Sequence, residues 1–184
     1  MKKRLFLAIP LSDSLLEKFS GLKDKPGHEK SIRWTNEQNF HITVYFFGDI
    51  EETKIPEMSK KLAQVVSATQ RFELQYEKIL YAPPNRPPRM IWADFGHSKS
   101  YEKMCGEVYE AAKPFMGSAA AQAHTRNPHP HITLARFNNP AAAKTMKLEP
   151  VAPEKMTAAG CELIASELTP KGPVYTVLKH YTMA

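Results

Sequence analysis

The two most similar stretches of this 184-residue chain constrain its fold more than any other feature: FHITVYFF at 40–47 and HITLARF at 131–137. Each contains His-Ile-Thr followed by an aliphatic residue, and the two histidines stand 90 positions apart. Both stretches are rich in β-branched and aromatic residues, the composition of a strand. Residues i and i+2 of a strand share a face. His41 and Thr43 therefore point one way while Ile42 and Val44 point the other, and His131 and Thr133 stand in the same relation to Ile132 and Leu134. Each strand is expected to bury an aliphatic face under a helix and to present a His/Thr pair on the opposite side.

The surrounding pattern places these strands at matching points of two similar halves. Arg4–Ile9 reads as a strand, and Ser12 as the cap of a helix with an apolar stripe at Leu15, Leu16, Phe19 and Leu22. After the first His/Thr strand, closed by the turn signal Gly48-Asp49, Thr53 is expected to cap a helix buried through Ile55, Met58, Leu62, Val65 and Val66. Phe72–Ala82 reads as one long strand, ended by the proline-rich loop at 82–89. Met90–Phe95 then starts the order again. A helix follows on Tyr101, Met104, Cys105, Val108, Ala112 and Phe115, then the second His/Thr strand. An Ala-rich helix over Pro140–Leu148 and strands over Cys161–Leu168 and Val174–Tyr181 complete the chain. A repeat of about half the chain means a two-lobed duplication and not a solenoid. The expected lobes are 1–85 and 86–184 of a single domain.

Composition removes several classes. With 42% hydrophobic and 24% charged residues the chain is globular, and no apolar run reaches the roughly 20 residues of a membrane helix. The opening MKKRLFLAIPLSDS begins like a secretory leader, but its apolar stretch is interrupted by Pro10, so it is read as the first strand. Cys105 and Cys161 are too few for a disulfide scaffold and lack metal-ligand spacing, so a cytoplasmic location with reduced thiols is expected. No Gly-rich phosphate loop or dinucleotide fingerprint is present. The net charge of +6 is weak evidence for an anionic partner unless the cations converge.

If the halves face each other, the two His/Thr pairs flank one cleft, and that arrangement suits a phosphodiester. An imidazole titrates near pH 6.5, so one ring can accept a proton while the other donates one. Threonine hydroxyls beside the rings can donate to non-bridging phosphate oxygens. No metal or other cofactor is demanded. A single His-x-Thr in a strand is commonly a packing feature, but packing does not require the same partner, spacing and neighbours twice.

Paired HxTx motifs in a chain of this size resemble the 2H phosphoesterase superfamily. The segments RLFLAIPL, RWTNEQNFHITVYFFGDI, PRMIWADF, NPHPHITLARF and SELTPKGPVYTVL are most similar to its bacterial branch, the LigT-type RNA 2′,3′-cyclic phosphodiesterases once called 2′-5′ RNA ligases. Phe40, where an aliphatic residue is more usual, and the aromatic Tyr45-Phe46 depart from that pattern and bear on what packs beside a substrate. The resemblance implies an α+β, bilobal fold with two antiparallel-type sheets lining a central groove and helices outside. It implies an enzyme that hydrolyses RNA-terminal 2′,3′-cyclic phosphates to 2′-phosphomonoesters, with His41 as proton donor, His131 as proton acceptor, and Thr43 and Thr133 on the phosphate; a monomer is expected. Sequence symmetry leaves the donor and acceptor order open. End-joining through a 2′-5′ linkage at the same site, and a non-catalytic nucleotide- or RNA-binding module, are the competing readings.

Weaker candidates accompany the pairs. Arg136 is odd-spaced from His131, so it reaches a phosphate only past a bulge or strand end. Trp34 and Tyr175 are the foremost of five aromatics able to stack on a base, the others being Phe47, Tyr81 and Trp92. Arg86, Arg89 and Arg126 are candidates for a basic rim. His129 shares a face with His131 and with His41 could imitate a three-histidine metal site. His28, His97, His124 and His180 are expected to be solvent-exposed.

Overall fold

The computed structural model describes residues 1–24, 32–84, 86–118, 128–137, 148, 150–170 and 172–184. The helix expected over Pro140–Leu148 falls almost wholly outside them, as do His28, His124 and Arg126.

Among the described residues, ten strands form three antiparallel sheets. The first has the order β10 (Gly172–Thr182), β9 (Gly160–Thr169), β1 (Lys2–Pro10), β3 (His41–Glu51). The second runs β2 (Ile32–Trp34), β7 (His131–Phe137), β6 (Met90–Asp94), β5 (Lys78–Ala82). A two-stranded ribbon pairs β4 (Phe72–Tyr76) with β8 (Glu154–Ala158). Helices α1 (Asp13–Ser20), α2 (Ile55–Ala68) and α3 (Lys99–Ala112) carry the apolar stripes that the spacing predicts. Leu15 and Phe19, then Met58, Leu62 and Val66, then Tyr101, Met104, Cys105, Val108 and Ala112 are buried. α2 packs on α3, and α3 packs on β3 over the aliphatic face of the first motif. Ile42, Val44, Ile132 and Leu134 all lie in the main core. The α+β fold with antiparallel sheets is the one expected.

The two halves interlock. Each four-stranded sheet takes two strands from residues 1–85 and two from 86–184, and the ribbon takes one from each. The antiparallel pairs β1–β3 and β6–β7 stand at matching points of the two halves, while the core is common to both.

Four local expectations change. Phe72–Ala82 is two strands broken at Glu77, because β4 leaves for β8 whereas β5 pairs with β6; the Glu77 amide bonds the Asp94 carbonyl at the break. Strand β3 passes through Gly48 to Glu51, since Gly48 takes φ +73° and absorbs a register shift against β1 where a turn was expected. Thr53 does not cap α2; it lies in a 3-10 turn, Glu52–Lys54, that leads into the helix. Strands β2 and β8 were not expected, being a three-residue piece and a largely polar one that exist through their partners β7 and β4. Ser12 does cap α1, accepting from the Leu15 amide at 3.4 Å.

Candidate active site

The His/Thr strands β3 and β7 belong to different sheets and touch across the cleft between them. His41, Thr43, His131 and Thr133 line one cavity of about 550 Å³ there. The hairpin β9–β10 forms another wall through Thr169, Pro173 and Tyr175. The two sequence-distant imidazoles thus reach one gap.

Both rings are anchored alike. His41 Nδ1 lies 2.7 Å from the Asn39 carbonyl and His131 Nδ1 lies 2.8 Å from the His129 carbonyl, in each case the residue two positions before. A carbonyl only accepts, so each Nδ1 carries the hydrogen and each Nε2 is left with its lone pair when the ring is neutral. His41 Nε2 is 3.0 Å from Thr43 Oγ1, whose hydroxyl donates to the neutral ring. An aromatic backs each imidazole: Phe6 lies 4.8 Å from His41 between ring centres, and Trp92 is stacked on His131 at 3.7 Å.

The strands share a second device. In the pairing of β1 with β3, Leu7 opposes Tyr45 and Ala8 opposes Thr43, leaving Val44 as an extra residue. In β6 with β7, Ile91 opposes Ala135 and Trp92 opposes Thr133, leaving Leu134 extra. Each motif is thus followed at once by a β-bulge, which reverses the alternation beyond it. The fifth residue after each histidine, Phe46 in β3 and Arg136 in β7, returns to the cavity face. The condition set for Arg136 from sequence is met.

A family model for LigT like phosphoesterases matches residues 9–92, the span of the first motif and its surroundings. Over that span the chain is similar to the LigT-like phosphoesterases. Among curated relatives, the RNA 2′,3′-cyclic phosphodiesterase of Archaeoglobus fulgidus is 26% identical over 96% of this chain and 98% of its own. That of Aquifex aeolicus is 27% identical over 97% and 96%. A protein of Thermus thermophilus superposes with a TM-score of 0.83 at 25% identity, covering 97% of both chains. LigT of E. coli in complex with 3′-AMP gives 0.80 at 20% identity over 100% of this chain and 99% of its own, a likeness of fold.

In this site the cations converge. Arg33 and Arg136 line the cavity with the two histidines, and no carboxylate does so among the described residues. Burial drives both imidazoles towards their neutral forms. His41 falls furthest, to about 4, with the Asn39 carbonyl opposing the fall and His131 adding to it. His131 is lowered chiefly by burial, then by His129 and Arg136, against the raising influence of its backbone bond and of Asp94.

The remaining candidates separate cleanly. Trp34 and Tyr175 line the cavity, and Tyr175 meets His41 edge-on at 5.6 Å. Phe47 is fully buried, Tyr81 packs on Phe137, and Trp92 serves as the platform under His131. Arg86 and Arg89 are exposed in the proline loop and do not line the cavity. His129 turns its Nε2 to the buried carboxylate of Asp94, away from any shared histidine site with His41. His97 and His180 pair with Glu102 and Glu162 on the surface. Sequence reasoning did not single out Arg33 or Asn39, and noted Phe46 only for its aromatic character. A bulge allowance applied to both motifs would have found Phe46 along with Arg136.

Proposed function

We propose that this protein hydrolyses the 2′,3′-cyclic phosphate at RNA ends to a 2′-phosphomonoester, using the two histidines and no metal. The observation that carries the reading is the pair of identically anchored imidazoles that line one cavity, each with its Nε2 bare of hydrogen when the ring is neutral. One Nε2 takes a proton from water as its oxygen attacks phosphorus. The other gives a proton to the 3′ oxygen as the P–O3′ bond breaks, and the products are a 3′-hydroxyl and a 2′-phosphate. Thr43 and Thr133 donate to the non-bridging oxygens, and Arg136 offsets the charge that grows on them. Trp34, Tyr175 and Phe46 supply apolar faces for the terminal nucleoside. The names of the curated relatives support the same chemistry.

In the order that the resemblance implies, His41 is the donor and His131 the acceptor. Burial holds the His41 pKa down at about 4, so as donor it must gain its proton from the field of the bound phosphate. That observation favours a second order, with His41 as acceptor and His131, which retains Asp94 behind it, as donor. A cyclic substrate whose 3′ leaving atom is sulfur separates the two. A thiolate leaves without a proton, so this substrate rescues the variant lacking the donor and not the one lacking the acceptor.

The deciding assay incubates the protein with an oligonucleotide ending in a 2′,3′-cyclic phosphate, with and without a 5′-hydroxyl oligonucleotide. A 2′-phosphomonoester is expected, with a bell-shaped dependence of rate on pH and no loss of rate in EDTA. A longer product would assign end-joining, and binding without either product would assign a non-catalytic module. With two buried thiols in no disulfide, we place the enzyme in the cytoplasm. No helix among the described residues is long and apolar enough to cross a membrane.

A further inference from the structure

Strand β2 contributes one residue to the cavity that the hydrolysis does not require. Arg33 pairs directly with Arg136 across the β2–β7 ladder. Directly opposed residues of an antiparallel pair place their side chains on one face, and like charges there destabilise the sheet. Both arginines nonetheless line the cavity beside His131 and Thr133, and no carboxylate among the described residues lines it to offset them. Their chain neighbours fix which face they take: Ile32 and Phe137, opposed one step away, are buried in the core. Two adjacent guanidiniums make a site for more than one negative charge, whereas a cyclic phosphodiester brings a single one.

The spacing indicates where the second charge sits. From Thr133 to Arg136 is three residues, one of them absorbed by the bulge, so the arginine pair lies on the order of 7 Å along β7 from the histidine–threonine layer. Adjacent phosphates of a nucleic-acid strand are separated by a comparable distance. We infer that Arg33 holds a second phosphate, the one on the 5′ side of the terminal ribose, and so selects substrates phosphorylated at that position over a bare nucleoside 2′,3′-cyclic phosphate. The assignment of the first phosphate rests on the proposed hydrolysis. The second could belong to an internal linkage of RNA or to a 5′-monophosphate, which present the same group to Arg33.

Steady-state kinetics on three substrates tests this: a nucleoside 2′,3′-cyclic phosphate, its 5′-phosphorylated form, and a dinucleotide ending in the cyclic phosphate. The wild-type protein is expected to favour the doubly charged substrates by about tenfold or more in kcat/KM, expressed in KM because the contact is made equally in ground and transition states. R33Q should shrink that ratio several-fold, and R33K should keep part of it. Preference for both doubly charged substrates assigns the subsite to the RNA chain, and preference for the 5′-monophosphate alone assigns it to a mononucleotide. No preference in the wild type, or an equal loss on all three substrates in R33Q, overturns the inference. If the wild type turns over none of them, the hydrolysis itself fails. Calorimetric binding of a nucleoside 2′,5′-bisphosphate against a 2′-monophosphate then decides the subsite: tighter bisphosphate binding that R33Q removes sustains it, and equal binding ends it.

Discussion

His41 and His131 owe their chemical character to neighbours within two residues and one strand. The carbonyls of Asn39 and His129 dictate which nitrogen carries hydrogen, and Phe6 and Trp92 exclude the water that would favour the charged rings. H41A and H131A should each lower turnover by about 10² to 10⁴-fold, the usual worth of acid–base assistance, with far-UV circular dichroism unchanged. The same burial predicts a stability dependence. A histidine whose pKa falls from 6.5 to about 4 on folding binds its proton more tightly in the unfolded chain. Its contribution is therefore complete above pH 6.5 and is lost as pH falls from there towards 4. For His41 the loss is on the order of 2 kcal/mol, allowing for the part of the ring that reaches solvent. Thermal melts at pH 7 and pH 5 should show a fall for the wild type that H41Q reduces; an equal fall in both would refute the assignment.

The bulges after Thr43 and Thr133 turn a two-residue alternation into a three-point site. Without Leu134 as an extra residue, Arg136 would face the core; without Val44, Phe46 would. Each bulge has its own support. The Tyr101 hydroxyl reaches from α3 to donate to the Thr43 carbonyl, and the Thr35 amide donates to the Leu134 carbonyl at 2.9 Å. Y101F leaves that carbonyl without its side-chain donor and should cost about 1 kcal/mol in urea unfolding, with a loss of activity because Thr43 is no longer held. R136A should lower kcat/KM by about tenfold to a hundredfold, the worth of a charge-assisted contact, measured against the cyclic-phosphate substrate. Alternation predicted His41 and Thr43 on one face without difficulty. Arg136 was legible only conditionally, since nothing in HITLARF marks the residue that the ladder skips.

On the scale of the molecule, the interlocked sheets make the cavity a property of both halves together. β9 and β10 complete the sheet that holds β3, and β2 and β5 complete the one that holds β7. Residues 1–85 and 86–184 produced separately should each lack a cooperative melt, because each retains half-sheets with unpaired edges and an opened core. Mixing the two during refolding is the control, and recovery of a melt on mixing would show the shared core directly. An independently folding half would contradict the interlocked arrangement.

From the chain alone came the repeated strand chemistry, the alternation of strands with helices and their buried stripes, and the four residues at the centre of the cavity, whereas the antiparallel α+β class came with the family resemblance. The first three depend on side-chain type and short-range spacing, which are written locally. Tertiary pairing decided the rest: the split of 72–82 between two sheets, the passage of β3 through Gly48, the exchange of strands between halves, and the turning of Phe46, Arg136 and Arg33 towards a common cavity. These depend on which backbone lies alongside, and a strand's hydrogen bonds, unlike a helix's, are made with partners that its own sequence does not specify.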